Sequence, residues 1–344
     1  MSTILLIAVA VCACVITALL GLVLIPFLRK IHFGQTILEI GPKWHQKKQG
    51  TPIMGGLMFI IGIILSMAII YTVIFTVFPN SDFAVELTST NRLLQLLAGI
   101  GLALLMSFIG FMDDYIKAVK KRNLGLKASQ KTVIQLGVCV AYLTTMYFAG
   151  MHTTRIPFVG EIDITSGFGL IFWPIALVFI YGFTNAVNLT DGVDGLASSV
   201  TFVVALFYLV LTTVLADWGY NLLSAALAGA LVGFLIWNLN PAKVFMGDTG
   251  SMFLGGIVVA FAFGTHYPIL LFLSGILYLA EAMSVVIQVA HYKRTGKRIF
   301  KMSPIHHHFE MSGWKENKIV VVFSLVAFVG CLIAFGLVAA DLFI

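Results

Sequence analysis

Charge is what this sequence has least of. Only 10% of its 344 residues are Asp, Glu, Lys or Arg, against roughly 25% in a soluble domain. With 60% hydrophobic residues and a mean hydropathy of +1.01, an ordinary water-soluble core is excluded. Cysteine is scarce as well. Cys12, Cys14, Cys139 and Cys331 lie in apolar runs without metal-type spacing, so they read as small buried hydrophobes and say little about redox compartment. There is no long linker, no low-complexity tract and no convincing internal repeat, which predicts one integral membrane domain over 1–344. The first apolar run, Thr3 to Leu28, has no basic segment before it and is long enough to span, so it reads as a retained helix rather than a cleaved signal peptide. The net charge of +6 does not argue for nucleic acid, because basic loops beside membrane spans are what orientation requires.

What is present is a series of apolar runs near the roughly 20 residues a membrane crossing needs. They are 3–28, 54–78, 93–112, 132–150, 170–187, 196–215, 222–239, 251–265, 268–289 and 319–343. The expected fold is all-α, a polytopic integral membrane protein with ten transmembrane helices. The eighth run is short, and could form half of a re-entrant hairpin with the ninth. Of 21 Lys and Arg residues, all but Arg92 and Arg155 fall in alternate loops on one side, among them Lys43, Lys47, Lys48, Lys121 and Arg122. Basic loops are cytoplasmic, so both termini are expected outside. Residues 154–165 alternate apolar and polar around Gly160 and predict a small periplasmic β-hairpin.

The polar chemistry collects at the expected cytoplasmic mouth. Asp113-Asp114 closes the third run with Lys117 on the face of Asp113. This is either a charged helix end or a metal or phosphate site, since a cation relieves two neighbouring carboxylates. Asn185 to Gly195 carries two Asn, a Thr, two Asp and two Gly without one basic residue. That suits a nucleoside, a sugar or a cation, or a plain loop. Asp248 sits between glycines where the eighth run begins, and can hold Mg²⁺ together with substrate phosphates, cap the helix, or both. Phe245 before it could stack on a base or simply pack, and Asn238 closes the seventh run. His306, His307 and His308 are consecutive, and helical neighbours point about 100° apart. Phosphate or sugar contacts, or structural roles, therefore fit better than a shared zinc. Lys48, beside Gly50-Thr51-Pro52, is the best basic candidate for a substrate phosphate; His45 and the lysines before it read as topology or headgroup signals. Glu281 and Gln288 lie seven apart in the ninth run, and an intramembrane Glu is either functional or a neutral strut.

These motifs resemble the phospho-N-acetylmuramoyl-pentapeptide-transferases, a branch of the polyprenyl-phosphate N-acetylhexosamine-1-phosphate transferases. The likeness covers essentially the whole chain. Asp113-Asp114 with Lys117, the 185–195 stretch and Gly247-Asp248-Thr249-Gly250 match the superfamily; segments 48–56 and 304–310 are more specific to the branch. The family often has Thr after Gly-Thr-Pro, where this chain has Ile53, so a hydroxyl contact there is not carried over. The resemblance implies a bacterial plasma-membrane enzyme with a cytoplasmic cleft, forming lipid I and UMP from UDP-MurNAc-pentapeptide and undecaprenyl phosphate. It implies Mg²⁺ on Asp248 with Asp113 and Asp114, catalytic roles for those three and His306, and a homodimer. Gly192, Val193, Asp194 and Phe245 would form the uracil pocket, beside Asn185, Asn188, Asp191 and Asn238. Lys48, Lys117 and Lys131 (or Lys127) would meet phosphates, and Gln288, His307 and His308 would complete the sugar end. A sister transferase using UDP-N-acetylglucosamine, a transporter and a non-catalytic membrane partner are the rival expectations. Crowding of polar groups at one mouth disfavours transport.

Overall fold

The structure is a computed structural model that describes residues 2–31, 34, 48–120 and 125–342. Helices α1 (Ser2–Lys30), α2 (Gly56–Val77), α3 (Asp82–Leu87), α4 (Thr90–Val119) and α5 (Ala128–Phe148) precede strands β1 (Thr153–Ile156) and β2 (Gly160–Asp163). Then follow α6 (Phe172–Thr190), α7 (Leu196–Val214), α8 (Trp218–Asn238), α9 (Gly247–Gly264), α10 (Leu271–Ser274), α11 (Ile276–Thr295), α12 (Ile305–Glu310) and α13 (Glu316–Leu342). Every apolar run of the sequence lies on a helix or, for 268–289, on a bent helix pair.

Among the described residues, eight helices are long and apolar enough to cross a membrane, and nine if the pair Pro268–Ser274 and Ile276–Thr295, bent by 78°, is one span. The fourth expected span, α5, has 21 residues but carries Gln130, Lys131, Thr132 and Gln135 in its first half and falls outside that set. The fold is an all-α polytopic membrane protein. The discontinuity lies inside the ninth run, not between the eighth and ninth: Gly275 closes α10 with its N–H on the Leu271 carbonyl at 2.8 Å, and α11 restarts at an angle.

The short eighth run is α9, the centre of the bundle. It packs between α2, α4, α6 and α7, and nearly all of it is buried in protein. A helix ringed by other helices need not match the bilayer's apolar thickness, and small residues let its neighbours approach. Gly256 lies on the Ala103 backbone and Gly255 on that of Thr184.

Helix α1 runs parallel to α8, with Ala10 against Gly229, Cys14 against Gly233, and Trp237 Nε1 donating to the Ala18 carbonyl at 3.1 Å. The start of α8 meets the end of α9, where Tyr220 fills the space beside Gly264. The expected hairpin is present, with register Thr153↔Asp163 to Ile156↔Gly160. It sits at that same end, Arg155 N donating to the His266 carbonyl at 2.8 Å. The end of α13 joins it, since Phe158 N donates to Asp341 Oδ1 at 2.7 Å. Both ends of the described chain therefore lie opposite the start of α9.

Candidate active site at the start of the central helix

Gly247-Asp248-Thr249-Gly250 forms the first turn of α9 rather than a loop before it, and Met246 at the N-cap gives no side-chain cap. A helix start leaves free N–H groups that need acceptors. Asp114 of α4 supplies them. Its Oδ1 accepts from Asp248 N at 3.2 Å, and its Oδ2 from Thr249 N at 2.9 Å and Thr249 Oγ1 at 2.7 Å. The cap thus comes from another helix, not from Asp248 or Thr249. Glycine is needed at 247, where φ is +71° and a Cβ would press on the Asp114 carboxylate, and at 110, where a Cβ would overlap the Asp248 carbonyl.

Held this way, the Asp248 side chain points to where four helices meet. Its Oδ2 accepts from Lys131 Nζ of α5 at 3.0 Å and Lys117 Nζ of α4 at 3.3 Å. Its Oδ1 accepts from Asn188 Nδ2 of α6 at 3.0 Å, and that amide also reaches Ser251 Oγ at 2.8 Å. Lys117 bridges on to Asp113 Oδ2 at 2.6 Å, the i,i+4 pair read from the sequence. Asp113 Oδ1 accepts from Leu126 N at 2.8 Å.

Beside this cluster runs the 191–194 loop. Asp194 is buried and fully engaged: Oδ1 accepts from Lys48 Nζ at 2.7 Å, and Oδ2 from Asn240 Nδ2 and Ala242 N at 3.0 Å each. Lys48 Nζ also meets Glu316 Oε2 of α13 at 2.7 Å, which in turn accepts from Asp194 N at 3.2 Å. His306 of α12 lies against this loop, so that a Cβ at Gly192 would overlap its Nε2.

Asp191 ends α6 in this acidic setting. Burial first, then the carboxylates of Asp248, Asp114 and Asp194, push its pKa up to about 8. A carboxyl raised from about 3.9 when unfolded binds a proton only in the folded state between those values. It therefore costs stability increasingly as pH rises from about 4 to about 8. In chelator, Asp191→Asn is expected to raise the thermal midpoint relative to the parent protein, by a margin that widens between pH 5 and pH 8. A margin independent of pH would show that Asp191 is not held protonated.

The structure thus brings Asp113, Asp114, Lys117, Lys131, Asn188, Asp191, Asp248, Gly192 and His306 to one mouth. It uses other expected site residues internally. Asn185 forms an amide pair with Gln135, Nδ2 to Oε1 at 3.1 Å, bracing α6 to α5. Asn238 accepts from Ser198 Oγ and donates to the Val244 carbonyl, both at 3.0 Å. Gln288 holds the backbone of Ile299 and Phe300. His307 pairs with Glu310 and packs its ring centroid 4.1 Å from that of His306, and His308 Nδ1 accepts from Lys301 N at 3.1 Å. Val193 is buried and Phe245 is half-buried. The backbone of Phe245 joins the 48–56 turn to the start of α9, with Phe245 N on the Pro52 carbonyl and Gly55 N on the Phe245 carbonyl, each 2.8 Å. Lys43, His45, Lys47, Lys121 and Arg122 lie outside the described residues.

Gln135, Ser251 and Glu316 were not foreseen. An amide or hydroxyl inside an apolar helix gives little signal, and an acid in a helix's first turn is ordinary.

Among the described residues, no three His, Cys, Asp or Glu side chains stand at metal-binding spacing. The donor set still fits a hard cation. Lys117 Nζ already sits between carboxylates from two helices, so the position favours positive charge. One or two carboxylates, with the remaining ligands from phosphate and water, is the usual protein share for Mg²⁺.

The family model for glycosyl transferase family 4 matches residues 96–266. That span runs from α4 past α9 and includes the Asp248 cluster, whereas Lys48 and His306 lie outside it. The phospho-N-acetylmuramoyl-pentapeptide-transferase of Clostridium perfringens strain 13 is 44% identical over 324 residues, covering 94% of this chain and 95% of the relative. The chain belongs to the phospho-N-acetylmuramoyl-pentapeptide-transferase family. Family members from Heliobacterium modesticaldum (46% identical; 92% of this chain, 94% of the relative) and Acetivibrio thermocellus (44%; 92% and 90%) are similar across nearly their full length.

Proposed function

We propose that the protein transfers phospho-N-acetylmuramoyl-pentapeptide from its UDP-linked donor to undecaprenyl phosphate, giving lipid I and UMP. This is the first membrane step of peptidoglycan synthesis. The observation that carries the reading is the meeting of Lys117, Lys131 and Asn188 on the Asp248 carboxylate, at the end of a membrane helix bundle. A soluble nucleotide-sugar and a bilayer-borne phosphate can meet only at such an interface.

In this reading the basic end of the bundle faces the cytoplasm, α5 completes ten spans, and both chain ends and the hairpin lie outside. The working unit is a homodimer. A lipid-phosphate oxygen attacks the sugar-proximal phosphorus and UMP departs. Two anions must approach, so positioning and cationic groups supply most of the stabilisation. Lys117 and Lys131 are released from carboxylates to hold phosphate oxygens. Asp113 and Asp248 would hold Mg²⁺, which when bound would supply neutralising charge beside the departing nucleotide. Asp114 serves as the anchor of α9. A phosphate with second pKa near 6 is mostly dianionic at pH 7, so one-step displacement needs no strong base. The 191–194 loop with Phe245 takes the uracil, and His306 faces the diphosphate and sugar.

The test is UMP release from UDP-MurNAc-pentapeptide and from UDP-N-acetylglucosamine, each with undecaprenyl phosphate, with and without Mg²⁺. Release from the muramoyl donor alone, lost in chelator, is expected. Activity only with UDP-N-acetylglucosamine would overturn the substrate assignment.

A further inference from the structure

Glu281 of α11 and His306 of α12 form a fully buried pair that the phosphate cluster does not explain. Glu281 Oε2 meets His306 Nδ1 at 3.0 Å and faces His306 N at 3.4 Å. A carboxylate oxygen accepts, so Nδ1 carries the hydrogen. The far sides of both groups have no partner: Glu281 Oε1 and His306 Nε2 are buried without a hydrogen bond. A strut built for stability alone would use these atoms, since unpaired buried polar groups destabilise a fold. Nε2 is also directed. It rests on Gly192, the residue between Asp191 and Val193, where any Cβ would displace it.

We propose that Glu281 is a positioning residue for His306. It fixes the ring with Nδ1–H toward α11 and leaves Nε2 as an acceptor for a hydroxyl or amide N–H at the donor's sugar end. This rests on the transferase reading above. A carboxylate behind a histidine sets the tautomer and orientation of the ring, and loss of such a supporting partner at metal sites lowers activity about 10–100-fold.

The experiment is a double-mutant cycle on UMP release, with thermal midpoints recorded for every variant. Glu281→Ala is expected to lower kcat about 10–100-fold and to change KM for the UDP-sugar less than about twofold. In a His306→Ala background, Glu281→Ala is expected to have no further effect on kcat, because it acts only through the ring. Losses that multiply would overturn the proposal. Glu281→Gln, which keeps an acceptor for Nδ1–H, is expected to retain most of the parent kcat, and a loss as large as that of Glu281→Ala in a folded protein would overturn the positioning role. ¹⁵N spectra of labelled histidine give a readout without turnover. Nδ1 of His306 is expected protonated in the parent protein, and a ring protonated at Nε2 alone would contradict the assignment. A parent protein that releases no UMP would overturn the transferase reading but leave the spectral test standing.

Discussion

Replacing Asp248 by Asn is expected to slow UMP release by roughly 10³-fold, the upper range for removing one preorganised electrostatic group, while the thermal midpoint stays near that of the parent protein. The substitution keeps the side chain's shape and an acceptor for Asn188. It removes the negative charge shared by Lys117 and Lys131 and the principal anionic ligand for a cation. The fold does not depend on that charge, because the start of α9 is tied down by Asp114 through backbone N–H groups and the Thr249 hydroxyl. Steady-state kinetics and a thermal melt on the same preparation check both halves. Activity within tenfold of the parent would remove Asp248 from the centre of the site.

Asp114→Ala is expected to behave differently, losing stability and activity together. The carboxylate is 3% exposed and answers three donors. Removing it leaves buried N–H and O–H groups unpaired, each costing about 1–3 kcal/mol, so the total loss is about 3 kcal/mol or more. The first turn of α9 then loosens and Asp248 with it. Melting temperature and recovery of monodisperse protein after detergent extraction are the measurements. A variant as stable as the parent but inactive would make Asp114 a reacting group rather than the anchor of α9.

The contrast between these two acids shows what the sequence can and cannot disclose. Both stand out as carboxylates at the ends of apolar runs. Hydropathy located the helices, but it started α9 near Ser251, because a polar Gly-Asp-Thr-Gly turn looks like a loop. That turn is helical because its cap comes from a residue 134 positions away in sequence, which no local pattern encodes. The break at Gly275 is silent for a similar reason, being a glycine within an apolar run. Asp113 with Lys117 was legible because i,i+4 spacing fixes a shared face. Asn185, Asn238 and Gln288 carried the same signal as Asn188, an amide at the end of or inside an apolar run, yet three brace helices or loops and one meets Asp248. Spacing gives the face of a helix but not the neighbour it meets. The histidine triplet was partly legible, since 100° steps cannot aim three rings at one point, and the three meet different neighbours: His306 the loop at Gly192, His307 Glu310, and His308 the Lys301 backbone. Glu281 was visible as an intramembrane acid, but its partner His306, 25 positions away, required the fold.

The most direct test of the account is exchange of labelled UMP into UDP-MurNAc-pentapeptide, catalysed by the purified protein in the presence of lipid I. The account predicts that label enters the nucleotide-sugar only with lipid product and Mg²⁺ both present, and not with the Asp248→Asn protein. Exchange that persists at full rate in chelator, or in the variant, would contradict a cation-assisted phosphate transfer at the start of α9.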